Sequence, residues 1–214
     1  AAKVTGTAAS ITASGPGGYQ ATGYTMRAGK RIFFDDFSKG LSYWTADTGT
    51  APWNSWHADA SIYTSFPKSA YVWSDRNYTN YGMVNNLTLN QTLDLSSGQH
   101  HYLKYKARYH FDAKIFGNVG LSSNGGSSWD TWVVHGSDTG PMTSSGNFMP
   151  STINLDTYNG TFAFKLRFQA DWTSTWNFLY QWYIDDVEVW QVIDSEVLES
   201  FIDVGAPRNL LLLN

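Results

Sequence analysis

The chain has 214 residues, a formal net charge of −4, no cysteine and only 15% charged residues against 16% aromatic ones. The absent cysteine excludes a disulfide framework and a thiolate metal site. With 14 Lys and Arg against 18 Asp and Glu, and no basic cluster beyond the spaced Lys104, Lys106 and Arg108, nucleic acid is not an expected partner.

No apolar run approaches the ~18 residues needed to span a bilayer. The start Ala1-Ala2-Lys3 carries no Met, which leads to the expectation of an exported protein whose signal has been cleaved. Ten Trp, thirteen Tyr and nineteen Gly suit pleated strands joined by tight turns. Glu, a good helix former, occurs only at Glu188, Glu196 and Glu199. The expected class is therefore all-β.

Residues 1–31 are small and weakly charged, with a Gly15-Pro16-Gly17-Gly18 break and the alternating Lys3-Val4-Thr5-Gly6-Thr7. They read as an N-terminal arm or an edge strand. Residues 32–190 are dense in strand signals bounded by turn signals, and read as one domain. Within it Leu103, Tyr105, Ala107, Tyr109 and Phe111 alternate with polar neighbours, as do Phe162, Phe164, Leu166, Phe168 and Ala170. Each run predicts a strand with one face on a core and one in water. Turns are expected at Ser96-Ser97-Gly98, Asn124-Gly125-Gly126 and Asn159-Gly160, where Gly or Asn takes positive φ cheaply. Residues 191–214 read as a C-terminal tail ending in Leu210, Leu211, Leu212 and Leu213.

Phe33-Phe34-Asp35-Asp36-Phe37-Ser38-Lys39-Gly40 with Trp44 resembles the opening of MAM-like jelly rolls. Asp94-Leu95-Ser96, the Leu121–Trp129 hairpin, Ile153–Asp156 with Tyr158-Asn159-Gly160, and the closing Trp182–Val189 follow in that family's order. The chain thus resembles MAM-like and carbohydrate-binding-module-like jelly-roll β-sandwiches of secreted microbial proteins. The resemblance implies a two-sheet antiparallel sandwich whose first and last strands are neighbours. It also brings together Asp35, Asp36, Asp185 and Asp186, for which calcium is the implied ligand, since adjacent carboxylates repel unless neutralised and hard cations take several oxygens. The alternative is that each pair serves turns and bulges through hydrogen bonds to nearby backbone. The apolar alternation does slip by one residue at Asp185-Asp186, which predicts a bulge.

Trp53, Trp56, Trp172 and Trp176 lie in loop-like stretches and are candidates for stacking on sugar rings, with core packing as the commoner fate of a Trp. Asn77, Asn86, Asn90 and Asn159 match the N-glycosylation acceptor pattern. The five His residues show no zinc spacing, and no nucleophile elbow is present, so no catalytic constellation is expected. Two readings follow. In the first the chain is an extracellular structural or adhesive subunit, self-associating as a fibre or surface layer through terminal residues such as Val4, Ile11 and Leu210 to Leu213. In the second it is a monomeric module that binds polysaccharide, for example as an accessory domain of a secreted enzyme.

Overall fold

A computed structural model of the chain describes residues 11–14, 20–47, 55–74, 83–97, 100–136, 141–172 and 180–202. The described strands are β1 (Ile11–Ser14), β2 (Gln20–Asp35), β3 (Trp44–Ala46), β4 (His57–Asp59), β5 (Ser69–Ser74), β6 (Met83–Leu89) and β7 (His100–Phe111), followed by β8 (Ile115–Ser122), β9 (Asp130–Gly136), β10 (Met142–Thr143), β11 (Met149–Asn154), β12 (Lys165–Trp172) and β13 (Tyr180–Ile202). A 3-10 turn over Asp156–Tyr158 is the one helical element among the described residues.

The chain divides into two compact units, Ala1–Lys30 with Val192–Asn214, and Arg31–Gln191. In the first, β1 pairs antiparallel with the start of β2, Ile11 opposite Gly23 and Ser14 opposite Gln20. The last strand runs on to Ile202 rather than ending near Val189, so residues 191–202 continue it as strand.

The second unit is an antiparallel jelly-roll sandwich. Its smaller sheet has the order β3-β6-β12-β8-β9. Its larger sheet contains β4-β5-β13, with β7 bonded to β13 and carrying β10 and β11. The two alternating runs explain why the sheets face each other. Leu103, Tyr105, Ala107 and Phe111 of β7 are buried, as are Leu166, Phe168 and Ala170 of β12 together with Phe164 just before it. Trp182 of β13 lies at the centre of this core, with Trp56, Phe111, Phe168 and His135 around its indole at 5.3–5.9 Å between ring centroids.

Phe162 departs from the expected pattern. It is 74% exposed, because β12 begins only at Lys165 and the preceding residues cross to Leu93 and Asn124 through isolated bridges that break the alternation. The slip of the apolar pattern is present: Asp186 has φ +50°, and the chain passes from buried Trp182 and Ile184 to buried Val187 and Val189 across it.

Candidate functional site

Because Leu166, Phe168 and Ala170 point into the core, Lys165, Arg167, Gln169 and Asp171 occupy the other face of β12. Register places Gln169 between Asn86 of β6 and Asn118 of β8, and Arg167 between Thr88 and Gly120. The three amides join across the sheet. Asn118 Nδ2 donates to Gln169 Oε1 at 3.3 Å, Gln169 Nε2 donates to Asn86 Oδ1 at 2.9 Å, and Asn86 Nδ2 donates to Asp47 Oδ2 at 3.2 Å. Along this face Asn118 Oδ1, Arg167 Nε and Asp171 Oδ1 are buried without a hydrogen-bond partner. Burial raises the Asp171 carboxyl above the usual carboxylate range and lowers the Arg167 guanidinium from its own.

An open groove of about 640 Å³ lies on the same face, lined by Thr45, Asp47, Asn86, Trp129, Lys165 and Arg167 among others. Trp129 is delivered by the loop between β8 and β9. Ser122 Oγ accepts from the backbone N–H of Gly126 at 2.9 Å, Asn124 Oδ1 accepts from that of Ser128 at 2.9 Å, and the Gly125 N–H donates to Ala163 O at 2.8 Å. Gly125 and Gly126 take φ of +71° and +94°, which makes glycine the natural residue for the Asn-Gly-Gly turn. Thus a tied loop holds the indole beside β12, with the Arg167 guanidinium 4.5 Å from a Trp129 ring centroid.

The residues expected from sequence fall in several places. Asp35 is buried, accepting from the Phe37 N–H at 2.9 Å and Trp44 Nε1 at 2.7 Å, and its burial raises its pKa. Asp36 accepts from the Ser38 N–H at 3.0 Å, and hydrogen bonding to Ser38 holds its pKa low. Asp185 is fully buried. Its Oδ2 accepts from the N–H groups of Thr64 and Ser65 at 2.6 and 2.8 Å, and burial pushes its carboxyl up to about 6. Asp186 takes the Ser65 hydroxyl and pairs with Lys106 Nζ at 2.9 Å. Each pair is therefore committed to turns and neighbouring chain, and among the described residues no group of three or more His, Asp or Glu is arranged to hold a metal ion.

Trp56, expected as a stacking residue, is 2% exposed, packs on Trp182 and donates from Nε1 to Asn85 O at 3.1 Å. It belongs to the core, because the short β4 beside it closes the larger sheet's edge over the apolar interior. Trp172 ends β12 opposite Met83 and Ile115. Trp53 and Trp176 lie outside the described residues, as do Val4, Leu210, Leu211, Leu212, Leu213 and Asn77. Ile11 lies in β1. Of the remaining sequons, Asn86 has its side-chain nitrogen engaged with Asp47 in the groove, while Asn90 and Asn159 are exposed. Asn90 Oδ1 accepts from the Thr45 hydroxyl, and Asn159 Oδ1 contacts His101 Nδ1 at 2.6 Å.

Sequence reading passed over Trp129, Arg167 and the Asn86–Gln169–Asn118 row. The polar alternation of Lys165, Arg167 and Gln169 looks like an ordinary solvated face. The signal available was the Asn-Gly-Gly turn, a rigid device ending three residues before an aromatic.

No family model matches the sequence, and no curated protein matches it. Among solved structures the chain is similar to TmCBM61 in complex with beta-1,4-galactotriose, with a TM-score of 0.53 and 13% identity over 76% of this chain and 99% of that one. It also matches the K1 cleaved adhesin domain of Lys-gingipain from Porphyromonas gingivalis W83, at TM-score 0.49 and 16% identity over 73% and 96% of the two chains. A third match is TmCBM27, a carbohydrate-binding module described for mannan recognition, at TM-score 0.46 and 11% identity over 76% and 98%. These neighbours do not carry the MAM-like half of the resemblance. At such identities the likeness is one of fold, and the fold is that of a carbohydrate-binding-module-like β-sandwich.

Proposed function

We propose that this chain is an extracellular, non-catalytic module that binds polysaccharide in the groove on the outer face of the smaller sheet. The observation that carries the reading is the concentration on that face of an amide row, an open groove and a Trp on a tied loop. Sugars present hydroxyls that both donate and accept, together with apolar ring faces. Amides paired with an aromatic plane are the protein groups that match both. Binding rather than hydrolysis is favoured because Asp47 is the one carboxylate lining the groove among the described residues, whereas glycoside hydrolysis characteristically uses two facing carboxylates.

The fold likeness supports a binding or adhesion module over a self-associating fibre subunit, whose named contacts lie largely outside the described residues. Affinity electrophoresis of the full chain through gels containing galactan, xylan, mannan, β-glucan or polygalacturonate tests the proposal. Retardation by at least one polymer, relieved in Trp129→Ala, is expected. Unretarded migration through every gel removes the reading.

A further inference from the structure

Two cations, Lys165 and Arg167, line the groove beside a single carboxylate, Asp47, and neither is joined to an acid in an ion pair among the described residues. The ion pairs among the described residues join Arg31 to Glu188, His100 to Asp156, Lys106 to Asp186 and His110 to Asp112, and neither Lys165 nor Arg167 takes part in one. Both project from the same face of β12, two residues apart and therefore about 7 Å along the strand. The backbone beneath them is cleared by glycine. A Cβ on Gly120 would come within 2.7 Å of Arg167 Nε, 2.8 Å of Arg167 Cγ and 3.2 Å of Trp129 Cε3. A Cβ on Gly126 would come within 3.1 Å of Trp129 Cζ2 and 3.4 Å of Lys165 Cδ. Arg167 therefore lies down across β8 onto Trp129, and the Lys165 stem runs past the same indole. This holds the Arg167 charge over one aromatic plane, with the Lys165 stem beside it, before any ligand arrives, which lowers the ordering cost of binding.

We infer that the groove selects an acidic glycan, its Lys165–Arg167–Trp129 cluster forming a subsite for a hexuronic acid residue. The inference rests on the polysaccharide-binding reading and narrows it. A uronate combines a ring with apolar C–H faces and a carboxylate at its edge, and an indole carrying a guanidinium, with a lysine stem alongside, answers both parts. Charge-assisted hydrogen bonds to carboxylate are about twice as strong as neutral ones, and Arg adds planar geometry to the charge. A neutral sugar would offer neither cation a counter-charge. The chain's overall charge of −4 opposes a polyanion, so attraction has to come from these local cations rather than from the protein's general field.

Three gels decide the matter for the full chain: polygalacturonate, the same polymer after chemical reduction of its carboxyl groups, and dextran sulfate. The expected result is retardation by polygalacturonate, weakened at least about tenfold by carboxyl reduction and by Arg167→Gln or Lys165→Gln. Gly120→Ala should weaken it similarly by displacing Arg167 and Trp129 without removing a charge. Thermal melts of each variant confirm folding, and Lys165→Gln, which touches no core residue, keeps the test valid if Arg167→Gln unfolds. Equal retardation by native and reduced polymer overturns the inference while leaving the polysaccharide-binding reading intact. Retardation by dextran sulfate equal to that by polygalacturonate overturns it as unspecific charge attraction. Absence of retardation by polygalacturonate overturns it too, and the neutral polymers of the wider panel then decide the binding reading separately.

Discussion

His135 makes the stability of the sandwich depend on pH in a calculable way. Its ring lies in the core, stacked on Tyr109 at 4.0 Å between centroids and edge-on to Trp182, with Nε2 buried and unpartnered. Burial lowers its pKa from 6.5 to about 4, because the imidazolium would lose its hydration with no acceptor in return. The folded-state pKa is thus depressed, so well above pH 6.5 the ring is neutral in both states and costs nothing. As pH falls below 6.5 the unfolded chain takes up a proton that the folded one refuses until about pH 4. One pKa unit corresponds to about 1.4 kcal/mol, so the loss of stability should reach about 2 kcal/mol at pH 5 and about 3 kcal/mol at pH 4. Asp185 acts in the opposite sense. Its carboxyl is raised to about 6, so the folded state gains stability as pH falls from 6 towards 4, and a wild-type curve alone would mix the two. Urea unfolding of wild type and His135→Phe from pH 7.5 to 4 isolates the histidine, since Phe preserves the stacking and cannot titrate. The stability difference between the proteins should shift by about 2–3 kcal/mol in favour of Phe on acidification. A difference that stays constant with pH would refute a buried, neutral His135.

Other perturbations read other parts of the fold. Phe168→Ala should cost about 3–5 kcal/mol in unfolding free energy, as large-to-small core changes do, whereas Lys165→Ala should cost a few tenths, and similar values at both positions would contradict the assigned faces of β12. Asp185→Ala removes the acceptor of the Thr64 and Ser65 N–H groups. It should destabilise by about 2 kcal/mol and speed proteolytic cleavage within residues 60–68, where Tyr63 and Phe66 stand exposed. Calcium remains a proposal for the Asp35, Asp36, Asp185 and Asp186 carboxylates. Holding an ion would require them to exchange N–H partners for the cation, and binding to the folded state must then raise the melting temperature by mass action. A rise in calcium over EDTA that Asp186→Ala abolishes is the predicted result, and superimposed melting curves would dismiss the ion.

What the sequence disclosed depended on how local the physics was. β7 and β12 were legible because each has one face on the core, so period-two alternation survives in the text. The slip at Asp185-Asp186 was legible for the same reason and appears as the positive φ of Asp186. Trp56 misled because its neighbours look like a loop, and only tertiary packing against Trp182 decides its burial. The groove was the least legible part. Its amide row joins Asn86 to Gln169 across 83 residues of sequence, and strand order within a sheet leaves no local mark. Gly120 in turn reads as one small residue in a strand, and its purpose emerges only when Arg167 and Trp129 lie over it.

The central claim, that a glycan binds on the outer face of the smaller sheet, is tested most directly by a ¹H–¹⁵N correlation titration with a soluble oligosaccharide of the polymer that retards the protein. The Trp129 indole N–H and the side-chain amides of Asn86, Asn118 and Gln169 should shift in a saturable, common manner, while the backbone amides of Tyr71 and Tyr183 on the larger sheet stay in place. Shifts confined to the larger sheet, or none at saturating ligand, would contradict it.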